Sequence, residues 1–313
     1  MIGLYLLAPL LGAIISLIGV RFGEVMSVLV FLFLLSLSLY LVPSVMGGEI
    51  FVLDFGPRGI FGIHLSLDML SLMMLLAISL ICLMASIFSV KYMEGYGGRV
   101  RYYVLLLLMA LGMNLASLSS DLLNLYIGIE VASLSAYALI AFGLSEEELE
   151  ASFKYQVMGA IGSLFILTGM GLIYLESGGL SFERMELGGS VIFGVALLIM
   201  GFSLKSALIP FHSWLPDASS SPAPVSSILS GVFIAVGAYA IARLSLSAFH
   251  PIPYSISMTL MTLGSVSLIL GVILAIAQWD MKRFLAYDSI SPVSYTHLRA
   301  HETRHDLVCR LLL

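Results

Sequence analysis

The chain has 313 residues, 60% of them hydrophobic and 11% charged, with a formal net charge of −5. A soluble domain carries about 25% charged residues and less apolar content, so the composition excludes an ordinary soluble protein and points to a polytopic membrane protein. Cys82 lies in an apolar run and Cys309 near the C-terminus, which provides neither a disulfide framework nor a metal cluster. There is no phosphate-binding glycine loop, nucleophile elbow or HExxH pattern, so no cofactor, no metal and no nucleic acid is expected, and no catalytic residue of the chain's own.

A membrane span needs about 20 predominantly apolar residues. The first such run begins at Ile2 with no basic residue before it and Arg21 after it. A secretory signal has the reverse order, so this is expected to be a first transmembrane helix with its N-terminus outside. On the same rule the spans fall at 2–20, 25–46, 67–90, 102–119, 121–143, 155–175, 190–209, 223–247 and 255–279, about nine in all. Between the second and third, Ile50 to Leu65 alternates and turns at Gly56-Pro57-Arg58-Gly59, the pattern of a short external β-hairpin. Asp68, behind Ser66, and Asp121 read as helix caps, and Glu146, Glu147, Glu148 and Glu150 form a solvated acidic loop. Alternating spans put Arg21, Lys91, Arg99, Arg101, Lys154, Lys282 and Arg283 on one side and Arg58, Arg184 and Arg243 on the other. The larger basic set marks the cytoplasmic face, and a cell-membrane location follows.

The seventh run is interrupted. Lys205 stands near its end and Pro210 follows five residues later, leaving the Ser206 carbonyl without its helical donor. Such a break survives in a membrane only where protein or water satisfies the freed groups, and a charged group beside one is a candidate functional site. Glu130 lies about 14 Å into the fifth span at 1.5 Å per residue. Each charge alone is costly; paired, they share the desolvation cost. At an effective dielectric of 20, lengthening a Glu130–Lys205 pair from ~4 to ~10 Å weakens the attraction by ~2.5 kcal/mol, close to two pKa units. A small helix movement then switches whether the lysine keeps its proton. The alternatives are a structural ion pair and a snorkelling lysine. His212 either relays protons or satisfies the unwound backbone. Asp217 either takes part in proton entry or caps a turn, and Lys154 either feeds protons inward or anchors the sixth span at the interface.

Two segments together resemble a known family. One runs Leu118-Ser-Ser-Asp121-Leu-Leu-Asn-Leu-Tyr-Ile-Gly-Ile-Glu130-Val-Ala-Ser-Leu-Ser-Ala-Tyr137. The other runs Lys205-Ser-Ala-Leu-Ile-Pro210-Phe-His-Ser-Trp-Leu-Pro216-Asp217-Ala, followed by Ala223-Pro-Val-Ser-Ser-Ile-Leu-Ser-Gly231. With Lys154-Tyr155 and Asp280-Met-Lys282-Arg283, they resemble the antiporter-like membrane subunits shared by respiratory complex I, Mrp-type sodium/proton antiporters and membrane-bound hydrogenases. The resemblance implies an all-α polytopic fold of inverted repeats, each with a discontinuous helix and a proton half-channel. In the first repeat Glu130 matches the family's acid on the fifth helix and Lys205 its lysine on the broken seventh.

There are three departures. Ala235 stands where the eighth helix usually offers a lysine or histidine, and no Asp, Glu, His, Lys or Arg occurs from Ala218 to Ala242. Ser219 replaces the histidine of the family's Leu-Pro-Asp-Ala-His. The chain stops as a tenth helix begins. The expected organisation is therefore an incomplete antiporter-like transmembrane domain over 1–291, comprising the first repeat and the start of the second. A non-family tail follows over 292–313, expected to be a cloning or assembly scar. The function the resemblance implies is proton, or sodium/proton, translocation within a multi-subunit redox or antiporter complex, with other membrane subunits and lipid as partners. The rival readings are a non-conducting structural subunit and a contributor to a quinone site.

Overall fold

The computed structural model describes residues 1–56, 62–182, 188–248 and 254–290. Helices α1 (Leu4–Ser16) and α2 (Val20–Met46) lead into an antiparallel hairpin, β1 (Phe51–Phe55) and β2 (Ile63–Leu67). Phe51 pairs with Leu67 and Phe55 with Ile63; the turn expected at 56–59 falls mostly outside the described residues. Then come α3 (Met69–Tyr92), α4 (Arg99–Leu118), α5 (Leu122–Ile140), α6 (Glu146–Ser177) and α7 (Gly189–Lys205). After a break lie the short α8 (Trp214–Ala218), α9 (Ala223–Ile228), a π-helical turn at Leu229–Phe233, α10 (Ile234–Ala248) and α11 (Tyr254–Ile276). A further helix, α12, covers 281–290. The expected tail at 292–313 lies outside the described residues.

Among the described residues seven helices are long and apolar enough to cross a membrane, α9 to α10 counting as one, while α1 and α7 are apolar but shorter. The chain is a multi-pass, all-α membrane protein. Its outer faces carry exposed apolar side chains such as Leu11, Ile14, Leu32, Phe153, Leu164 and Ile273, as a bilayer requires. The expected caps form: Asp68 accepts from the Ser71 amide at 2.9 Å and Asp121 from the Asn124 amide at 2.8 Å. Ser145 and Glu148 close a capping box at the start of α6, so all four glutamates of the expected solvated loop, Glu146, Glu147, Glu148 and Glu150, lie in the helix instead, and Glu148 is buried.

Two glycine-lined crossings place the interior side chains. A Cβ on Gly112 of α4 would lie 2.6 Å from the Gly128 carbonyl oxygen of α5, and one on Gly128 would lie 2.5 Å from the Ala116 amide. Gly169 and Gly194 make the same approach between α6 and α7, as do Gly162 and Gly201. Small residues at such crossings let helices meet backbone to backbone, where dispersion replaces the hydrophobic driving force that lipid does not supply. Side chains just beyond these crossings, Glu130 on α5, Ser163 on α6 and Lys205 on α7, are thereby brought within contact of one another.

Candidate functional site: an ion pair at a helix break

α7 ends at Lys205, as the proline downstream dictates, and the backbone then turns through Ala207 at φ 53°. A left-handed conformation is uncommon for a residue with a Cβ. Protein groups answer the freed backbone. The Trp214 indole N–H donates to the Leu204 carbonyl at 3.0 Å, and the Ile209 amide donates to Ser267 Oγ of α11 at 3.0 Å. The Leu208 amide returns to Ser203 at 2.9 Å. The break is thus built into the packing.

Lys205 is 2% exposed, and its Nζ donates to Glu130 Oε1 at 2.9 Å and to Ser133 Oγ at 3.3 Å. Glu130 and Ser133 share a face of α5 at i, i+3 spacing. From α6 the Ser163 hydroxyl lies 2.5 Å from Glu130 Oε1 and 2.9 Å from the Gly159 carbonyl, with one proton to serve the two. The two residues singled out from charge and depth are therefore in contact. The serines that complete the pair were not among the expected residues.

An aromatic stack walls the pair. Tyr137 meets Tyr155 edge-on at 4.5 Å between centroids, and Tyr155 stacks on Trp214 at 4.0 Å with 19° between planes. Phe233, in the π-helical turn, meets Tyr155 at 6.2 Å. Gly159 lies under the Tyr137 hydroxyl, where a Cβ would collide with it. Behind Lys205 is a small cavity of about 10 Å³ lined by Met113, Ile129, Ala132, Phe233, Val236 and Gly237, about the room one water needs. It lies against the segment that includes Ala235, whose own side chain is part-exposed.

The expected entry residues also meet. Lys154 Nζ contacts Asp217 Oδ2 at 3.0 Å and Glu150 Oε1 at 2.8 Å, and Arg283 of α12 reaches Asp217 at 3.3 Å. Lys154 and Asp217 line an open cleft of about 370 Å³ whose wall includes Trp214. Trp214 therefore faces the cleft on one side and the stack on the other. His212 is placed differently. Its ring lies 5.9 Å from Tyr287 on α12, and its buried Nδ1 has no hydrogen-bond partner among the described residues. Among the described residues no hydrogen bond joins it to Glu130 or Lys205. No group of His, Cys, Asp and Glu among the described residues has the arrangement of a metal site.

Residues 119–304 match the family model described as NADH:quinone oxidoreductase/Mrp antiporter, transmembrane, and residues 60–103 match that of the N-terminus of chain 5 of NADH-ubiquinone oxidoreductase (complex I). The chain is 34% identical over 248 residues to NADH-quinone oxidoreductase subunit N of Desulforudis audaxviator, covering 75% of this chain and 49% of that protein. It spans about half the length of the curated relatives it matches. Among solved structures it superposes on a chain of the membrane-bound sulfane sulfur reductase, an archaeal respiratory membrane complex, with TM-score 0.88 and 27% identity over 96% of this chain and 64% of that one. A chain of the Mrp complex from Dietzia sp. DQ12-45-1b gives 0.85 and 27%, over 95% and 57%.

Proposed function

The chain belongs to the family of NADH:quinone oxidoreductase and Mrp antiporter membrane subunits, and from that premise we propose that it translocates protons within a multi-subunit complex of the cell membrane, its N-terminus facing outward. The observation that carries this reading is the Lys205–Glu130 contact at 2.9 Å beside a broken helix, with Lys205 2% exposed. Glu130 modulates the proton affinity of Lys205 through their separation. Drawn together, the carboxylate holds the ammonium charged; drawn apart to ~10 Å, the attraction falls by several kcal/mol at an effective dielectric of 20 and the proton leaves.

The route in starts at the Lys154–Asp217 cleft, passes Trp214 and Tyr155, and reaches the pair through Tyr137 and Ser133. His212, at the break, is a secondary relay that acts through water. The one-water cavity lined by Val236 and Gly237 takes the place of the side chain that Ala235 lacks, handing the proton onward from Lys205. A redox or antiporter module in the same complex drives the helix movement, as the names of the similar assemblies suggest. Moving one proton against 100 mV takes about 2.3 kcal/mol, within what the separation provides.

Reconstitution of the complex with the full-length subunit carrying Lys205→Ala tests the reading: proton uptake through this subunit is lost. Undiminished uptake removes Lys205 from the mechanism. The cavity supports this reading over a purely structural subunit, and Ala235→Lys separates the two. A conducting wild type gains nothing from the added lysine, whereas a silent one gains transport.

A further inference from the structure

A second buried charge pair lies outside the proton site. Arg243 of α10, its side chain 8% exposed, places one guanidinium nitrogen on Asp68 Oδ2 and the other on Ser66 Oγ at 2.8 Å. Asp68 is already fixed as the cap of α3 by the Ser71 amide at 2.9 Å and hydroxyl at 2.7 Å. One turn back on α10, the Tyr239 hydroxyl donates to the Ser117 carbonyl at the end of α4 at 2.5 Å and lies 3.3 Å from Ser71 Oγ. This end of α10 is therefore held to β2, α3 and α4 together.

The same helix bears on the proton site. Gly237 presses against the last residues of α7: a Cβ there would lie 2.7 Å from the Ser206 amide nitrogen and 3.0 Å from the Lys205 carbonyl carbon. Gly237 also lines the cavity behind Lys205. Six residues separate Gly237 from Arg243, about 9 Å of rigid helix at 1.5 Å per residue. On the far side of Gly237 is the π-helical turn Leu229–Phe233, a kind of irregularity that recurs at functional sites in helices. The helix is pinned at its Arg243 end and irregular at the other, with the Lys205 backbone between.

We propose that Arg243 is a positioning residue: its fork onto Asp68 and Ser66 sets the axial position of α10, and through the Gly237 contact the placement of Lys205 relative to Glu130. This inference rests on the proton-transfer reading of Lys205. A guanidinium suits the role because its planar donors reach two acceptors at once, which an ammonium does not do in fixed geometry.

The test is a double-mutant cycle in the complex containing the full-length subunit, with proton uptake measured per assembled subunit. Arg243→Gln and Gly237→Ala are each expected to lower uptake about fivefold, one by releasing the pinned end and the other by displacing the contact. Because both act on one strut, the double variant falls little below the worse single variant, well short of the roughly 25-fold product expected of independent sites. A fully multiplicative double variant, or full uptake in Arg243→Gln, overturns the proposal. Should Arg243→Gln fail to assemble, Arg243→Lys carries the test, since it keeps the charge and loses the fork; uptake reduced at normal assembly supports the proposal and wild-type uptake overturns it. Lys205→Ala run in parallel separates the two levels. If it transports normally, the proton-transfer reading fails and this inference with it. If it is inactive while the Arg243 variants are at full rate, only the positioning role fails.

Discussion

Substituting Glu130 in graded steps probes the ion pair most sharply. The carboxylate lies 2.9 Å from an ammonium that is 2% exposed. At an effective dielectric of 20 their attraction at that distance is about 6 kcal/mol. Glu130→Asp withdraws the carboxylate by one methylene, about 1.5 Å, and the attraction falls by about 2 kcal/mol, roughly 30-fold in an equilibrium that depends on it. Glu130→Gln removes the charge. Leaving one partner of a buried pair alone costs about 3–5 kcal/mol, and the lysine avoids that by giving up its proton, which stops the switch. The assay is the initial rate of proton uptake into vesicles holding the complex with the full-length subunit, read by a pH-sensitive dye and normalised to assembled protein. The expected order is wild type, then Asp reduced by about tenfold or more, then Gln near background. Glu130→Gln at the wild-type rate would show that charge separation from Glu130 does not control the Lys205 proton.

Gly159→Ala places a methyl group against the Tyr137 hydroxyl and displaces the ring from Tyr155, so proton uptake falls severalfold while the complex still assembles, measured by uptake beside native gel electrophoresis. The Asp68 carboxyl is pushed up by burial, but the Arg243 charge and the Ser71 hydrogen bonds outweigh this and hold it below the usual carboxylate range. A depressed folded-state value means the pair stabilises the fold above the unfolded carboxylate pKa, about 4, and that this stability is lost as pH falls further through the folded-state value. Melting in detergent therefore drops steeply below about pH 4 in the wild type. Asp68→Asn, which still caps α3, melts lower at neutral pH and is flatter through the acid window.

Much of this was readable before the structure because membranes make charge conspicuous. In a chain that is 60% hydrophobic, an acid nine residues into a span and a lysine before a proline stand out without any packing information, and they proved to touch. The helix caps at Asp68 and Asp121 were equally local and formed as expected. Ser133 and Ser163 were not legible, since serines recur along every span and only the α5, α6 and α7 crossings pick these two. The Trp214–Tyr155–Tyr137 stack was not legible for the same reason, since aromatic residues recur throughout the apolar runs. The Asp68–Arg243 pair joins residues 175 apart in sequence; each had a sufficient local explanation, one as a cap and the other as a loop charge, and neither pointed to the other. The length of α7 was overestimated because apolar character continues to Ile209 while the helix ends at Lys205, where the chain yields to the coming proline. Lys154 and Asp217 were named separately; that they share one cleft depends on α8 folding back against α6.

A switch of this kind requires the Glu130–Lys205 separation to change during turnover, which can be measured in the complex trapped at two stages of its cycle. The expected result is the 2.9 Å contact in one state and a gap of several ångströms, with α10 shifted against α7, in another. The same contact in every trapped state would contradict it.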